Sequence, residues 1–250
     1  MALYTDSAVY TLEDLAGYET GLLDTASTEG INLTVKTELA REEVGLILLS
    51  ALQRVEVPEL SGHDLKNVVV TTPLRLWQIF HTLAIVYRDA YFNQLNDRYK
   101  GKWDEYRELG RFAAALLAQI GVGTVVNPVP EADAPLLSLV PGSLTAARYF
   151  VRVSWLNAAG QEGAPGKLAD LDVPTGQGLQ VTAVNQPSSA TAYNVYAGVS
   201  PHDLFLQNTT PQNPSTPLSL AGPALASGRR PGSGQEPDFF RQVPRIIPRG

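Results

Sequence analysis

Hydrophobic positions follow two different periods along the chain. Up to about residue 120 they recur every three or four residues, which is the spacing of one helix face. From about 124 to 225 they fall in short alternating runs among Pro, Gly, Thr, Ser and Asn, the texture of strands and turns. The pattern predicts an α+β protein: a helical domain over 1–123, a β-sandwich over 124–225 and an extended Pro/Arg-rich arm over 226–250.

Four helices are predicted. Thr11 to Thr20 forms a short one, with Thr11 as cap and Glu13 and Asp14 in the first turn, where the helix dipole favours acids. Leu33 to Val55 forms the second. Its middle, Val44-Gly45-Leu46-Ile47-Leu48-Leu49, is apolar on nearly every side, so burial from more than one direction is expected, part of it from another subunit. The third starts at Thr72 as N-cap with Pro73 at the first position, and carries Trp77, Phe80, Ala84, Tyr87, Tyr91 and Leu95 as one stripe. Asn96, Asp97 and Gly101 punctuate its end. The fourth presents Trp103, Tyr106, Leu109, Ala113, Leu116 and Ile120 and stops at Gly121 and Gly123, so helices three and four make an antiparallel hairpin.

Beyond the helices, Tyr149, Val151, Val153 and Trp155 alternate with Phe150, Arg152 and Ser154, a half-buried strand. Further strands are expected over Leu179–Val184, Ala192–Val199, Leu204–Gln207 and Pro217–Leu220, at the spacing of a sandwich.

Composition narrows the classes of function. The chain has no cysteine, which removes disulfides and thiolate chemistry. A net charge of −6 disfavours a protein that grips a nucleic-acid backbone. No apolar run reaches the ~18 residues of a spanning helix, and the N-terminus carries no secretory signal pattern, so no membrane association is expected.

Catalytic chemistry has little to stand on. His63, His81 and His202 are far apart and lack metal-ligand spacing, and His81 reads as a core or rim histidine. The carboxylate pairs Glu13-Asp14, Glu42-Glu43 and Asp104-Glu105 point to different sides of a helix and read as solvated faces. Asp170 and Asp172 share a strand face, but no further calcium ligands accompany them. Gly121-Val122-Gly123 follows a helix rather than a strand and reads as a turn. The expectation is a protein that is not an enzyme, with no catalytic, cofactor or metal site.

Two features point instead to partners. Arg98, Lys100 and Lys102 sit at the predicted hairpin tip among Tyr87, Arg88, Tyr91, Tyr99, Trp103 and Arg107. They read either as an interface or as basic stems lying over an aromatic seam. The tail holds Arg229, Arg230, Arg241, Arg245 and Arg249 against Glu236 and Asp238, with Phe239, Phe240, Ile246 and Ile247 between prolines. Such a segment reads as an arm that orders on a partner, with Phe239, Phe240, Arg241, Arg245, Ile246 and Ile247 at the contact.

The run from Tyr149 to Pro165, with its alternating strand leading into Asn157-Ala158-Ala159-Gly160, resembles a fibronectin type III strand and turn. Ala190-Thr191-Ala192-Tyr193-Asn194-Val195-Tyr196-Ala197-Gly198 is similar to a second strand of phage-borne versions of that fold. The two appear in a shuffled order relative to a standard module. The segment from Asn96 to Tyr106, Asn-Asp-Arg-Tyr-Lys-Gly-Lys-Trp-Asp-Glu-Tyr, resembles the stretch between the long helices of head-to-tail adaptor proteins of long-tailed phages.

That resemblance implies a structural subunit of the phage neck, made in the host cytoplasm and carried in the virion. It implies a ring of about twelve copies below the portal protein and above a tail or stopper protein. DNA would pass through an acidic lumen without specific binding. The rivals are a tail-completion or baseplate protein, a carbohydrate- or surface-binding sandwich, and a hydrolase with an unrecognised site.

Overall fold

A computed structural model describes residues 1–6, 9–53, 64–95 and 97–242. The chain is α+β, with five α-helices among the described residues toward the N-terminus and antiparallel sheets after them. It divides into two units: Met1–Asp6 with Asn127–Glu236, and Ser7–Val126 with Pro237–Gly250. The division falls three residues after the boundary read from sequence at 123/124. It also splits the predicted arm, whose first part belongs with the sheets and whose last part belongs with the helices.

In the helical unit, α1 (Leu12–Tyr18) begins at Thr11 with a capping box. The Thr11 hydroxyl accepts from the Asp14 N–H at 3.1 Å, and the Asp14 carboxylate accepts from the Thr11 N–H at 2.8 Å. Replacing Thr11 by alanine is expected to cost about 1 kcal/mol of unfolding free energy in a denaturant titration. Helix α2 (Leu22–Glu29) has no counterpart in the sequence reading. It buries only Leu22 and Ala26, too little for a visible stripe, and ends at Gly30 in the left-handed region.

Helix α3 (Leu33–Gln53) matches the predicted second helix as far as the described residues run; Val55 lies outside them. Helix α4 (Thr72–Gln94) is capped at Thr71, one position earlier than expected, so Pro73 falls in the first turn rather than at its first residue. Helix α5 (Asp97–Ile120) starts four residues before the predicted break at Gly101, which lies inside it. A single helical glycine costs only about 1 kcal/mol, less than the packing of a full turn contributes.

The face of α5 also shifts from the expected one. Tyr99, Tyr106, Gly110, Ala113 and Leu117 are buried, Leu116 is half-buried and Ile120 is exposed. Tyr99, Trp103 and Tyr106 meet Tyr87 and Tyr91 of α4 in a run of ring contacts, with centroids 5.8 Å apart for Tyr87–Tyr106 and 6.1 Å for Tyr91–Trp103.

Gly121-Val122-Gly123 is not the free turn that the sequence suggests. Val122–Thr124 is a strand, β1, paired antiparallel with β9 (Phe239–Arg241) at the far end of the chain. Gly121 has φ +102°, and a Cβ there would stand 2.9 Å from the Arg241 carbonyl oxygen, so glycine is required by both backbone and space.

The other unit holds two antiparallel sheets. One is β2 (Leu136–Pro141), β5 (Gln177–Thr182) and β8 (Leu218–Leu220), in the order β2-β5-β8. The other is β3 (Ala147–Leu156), β4 (Ala169–Val173), β6 (Ala192–Ser200) and β7 (Asp203–Leu206), in the order β4-β3-β6-β7. Both feed one core, in which Tyr149, Val151, Val153 and Trp155 of β3 meet Leu179 and Val181 of β5 and Tyr193, Val195 and Ala197 of β6. The alternation read for β3 places its inward residues correctly. Strands β2 and β4 escaped the sequence reading because Leu136-Leu137-Ser138-Leu139-Val140 does not alternate and Ala169–Val173 is a half-exposed edge strand.

Candidate interaction surfaces

The cations at the hairpin are largely engaged within their own unit. Lys102 Nζ lies 2.9 Å from Glu19, whose carboxylate also accepts from the Tyr106 hydroxyl at 2.7 Å. The bond to Glu19 raises the Lys102 pKa. Burial opposes ionisation of Glu19, yet its bonds from Lys102 and Tyr106 hold its carboxyl below the usual range. Lys100 pairs with Asp104 at 2.7 Å one turn on, and that bond raises its pKa. The Arg98 guanidinium lies 5.0 Å over the Tyr99 ring and donates to its hydroxyl at 3.3 Å. Arg107 lies over Trp103 and pairs with Asp104 at 3.2 Å.

This is the arrangement of basic stems over an aromatic seam, one of the two readings open from sequence. Lys102 is the structural member of the set, because Glu19 is only 12% exposed. Lys102→Met is expected to destabilise the helical unit by about 1–2 kcal/mol, whereas Lys100→Met stays within about 0.5 kcal/mol, both read by urea unfolding.

Phe239 and Phe240 lie on β9 opposite Thr124 and Gly123, and each remains about half exposed, at 49% and 51%. Arg241 faces Val122 and is buried. These three predicted contact residues are therefore held by the chain's own β1. The other three, Arg245, Ile246 and Ile247, lie outside the described residues.

The outer face of the β3–β6 pair carries a polar cluster that the sequence reading missed. Glu162, only 16% exposed, accepts hydrogen bonds from the Ser154 hydroxyl, from the Tyr196 hydroxyl at 2.6 Å and from Asn194 Nδ2 at 3.1 Å. Its second oxygen meets Arg229 at 2.8 Å. Arg229 also donates to the Tyr196 hydroxyl at 2.7 Å. Burial opposes ionisation of Glu162, but these donors hold its carboxyl below the usual range, and burial together with the bond to Glu162 pushes the Tyr196 hydroxyl up. The segment that Arg229 anchors continues to Gln235, which donates to the Asn127 carbonyl and accepts from the Val129 N–H. The only hint of this in the sequence was polar Ser154, Asn194 and Tyr196 at alternate positions with Glu162 close by.

His81 bonds to Glu43 at 2.6 Å, and Asp170 accepts from Arg148 at 2.8 Å. His202 lies exposed in a turn, and His63 is outside the described residues. Among the described residues no group of three acidic or histidine side chains could hold a metal ion, and no helix is long and apolar enough to cross a membrane.

A groove of about 490 Å³ in the helical unit is lined by α3, α4 and α5. Helices α3 and α5 each pack on α4, and the groove lies between them, with Ile47, Trp77, Ile85 and Trp103 in its walls. No family model, curated protein or solved structure matches the chain.

Proposed function

We propose that the chain is a structural subunit of a phage head-to-tail connector, forming a ring below the portal through which DNA passes. One observation carries the reading. The Asp97-Arg98-Tyr99-Lys100-Gly101-Lys102-Trp103-Asp104-Glu105-Tyr106 segment, which resembles the adaptor motif, opens α5. Its aromatic residues form the seam by which α5 packs on α4. The motif thus has a physical task, the locking of a long helical hairpin.

The second unit supports the same reading. Its two motif-bearing strands, β3 and β6, pair side by side from Phe150–Leu156 to Ala192–Gly198. Three- and four-stranded antiparallel sheets around one core favour a fibronectin- or Ig-like sandwich for this unit. The carbohydrate-binding rival needs exposed planar rings on this unit. Trp155 is 1% exposed, and among the described residues the large exposed apolar side chains of the unit are aliphatic: Leu136, Leu139 and Val199.

The test is the mass of the purified chain by light scattering, alone and mixed with a portal ring. A closed oligomer, or stoichiometric addition to the portal, is the expected result. A 27.0 kDa monomer under both conditions overturns the reading.

A further inference from the structure

We infer that the groove between α3 and α5 is filled by the outer face of α3 from a second copy of the chain, in a head-to-tail contact. The inference rests on the connector reading and names the surfaces that would join its subunits.

The groove is the space left where a fourth helix would complete the layer, because α3 and α5 lie on either side of α4. Its walls are apolar, and Arg88, Arg107 and Arg111 stand among its lining residues. Each arginine pairs with an acid of its own helix, at 3.5, 3.2 and 2.7 Å, all of them exposed enough to contribute little. These cations can therefore turn toward an incoming carboxylate at small cost. On the α5 side Gly110 closes on Phe80 and His81 of α4, and the small, half-buried Ala114 leaves room for a helix to approach.

The complementary surface lies on the same chain. Glu38, Glu42 and Leu46 recur every fourth residue along the outside of α3, and Leu46 is 69% exposed. Acids beside an uncovered leucine are what an apolar groove with an arginine rim selects. The helix also presents Ile47, the neighbour of Leu46, to its own groove. In a head-to-tail array every α3 is thus covered on three sides: by α4 beneath, by the helix in its own groove, and by the groove that receives it. Only there does a Leu46-Ile47-Leu48-Leu49 run bury all its faces. Because groove and outer face are different patches, the contact is heterologous and propagates to a ring or a filament.

The test uses the full chain with two kinds of block. Leu46→Arg or, as an alternative change at an exposed position, Glu42→Arg removes the inserting face. Ala114→Arg blocks the groove with bulk and with the same sign of charge as the face variants, so that neither altered surface can rescue the other. Each variant alone is expected to stay at 27.0 kDa in sedimentation at concentrations where the wild type assembles, with an apparent dissociation constant raised roughly tenfold or more. Mixed one to one, they retain one intact interface and form a dimer at twice 27.0 kDa and nothing larger. A mixture that stays monomeric, or single blocks that leave the wild-type mass unchanged, overturn the inference while the connector reading stands. A wild-type chain that is monomeric alone yet joins a portal ring does the same.

Discussion

Replacing Glu162 by alanine is expected to destabilise the β-unit by about 3 kcal/mol. The carboxylate accepts from Ser154, Tyr196, Asn194 and Arg229, and its removal leaves the first three as buried or nearly buried donors without their acceptor. Denaturant unfolding of the variant checks the size. Trypsin adds a second reading, because Arg229 would lose the carboxylate that anchors it and the bond after it should be cut sooner. A loss under about 1 kcal/mol would mean that water replaces the carboxylate and that the cluster is not a structural centre.

The same group sets a pH dependence. The folded-state pKa of Glu162 is depressed, so its contribution is fully present above the ordinary glutamate value of 4.5. It is lost as pH falls from there through the depressed folded value. Stability measured against pH should therefore decline on the acid side of pH 4.5, and Glu162→Gln should flatten part of that decline.

The second large effect is expected at Trp155. Its ring is buried against Tyr193, with centroids 5.9 Å apart, in the core shared by both sheets. Trp155→Ala should cost about 3–5 kcal/mol and leave the unit marginal or unfolded, as judged by near-ultraviolet circular dichroism and thermal melting. The outcome also bears on function. A tryptophan that stacked on sugar from an exposed face would leave stability near the wild-type value when removed.

Taken together, the engaged cations and the half-exposed phenylalanines move the expected contacts of this protein. At the hairpin, Lys102 is held by the largely buried Glu19, whereas Lys100, like Arg107, has only an exposed pair with Asp104 and stays available to a partner. At the tail, Phe239 and Phe240 keep about half their surface while their backbones pair with β1, so side chains rather than backbone are what this strand offers a partner. The α3–α5 groove, which no single stretch of sequence encodes, becomes the leading surface.

What the sequence determined by itself is local. Periods of 3.6 and 2 placed α3, α4, α5 and β3, because in each a long face is buried and the pattern repeats several times. Thr11 announced the start of α1, because a cap acts within four residues. What only the tertiary structure decided is whatever depends on residues far apart. Helix α2 and strands β1, β4 and β9 bury too few side chains for any pattern to emerge, and they exist because a partner element supplies the remaining contacts. Gly101 reads as a stop in isolation, yet the packing of Tyr99 and Trp103 carries the helix through it. The Glu162 cluster joins residues 154, 162, 194, 196 and 229, and the groove joins three helices. Both arise from apposition in space, to which neither period nor spacing along a chain responds.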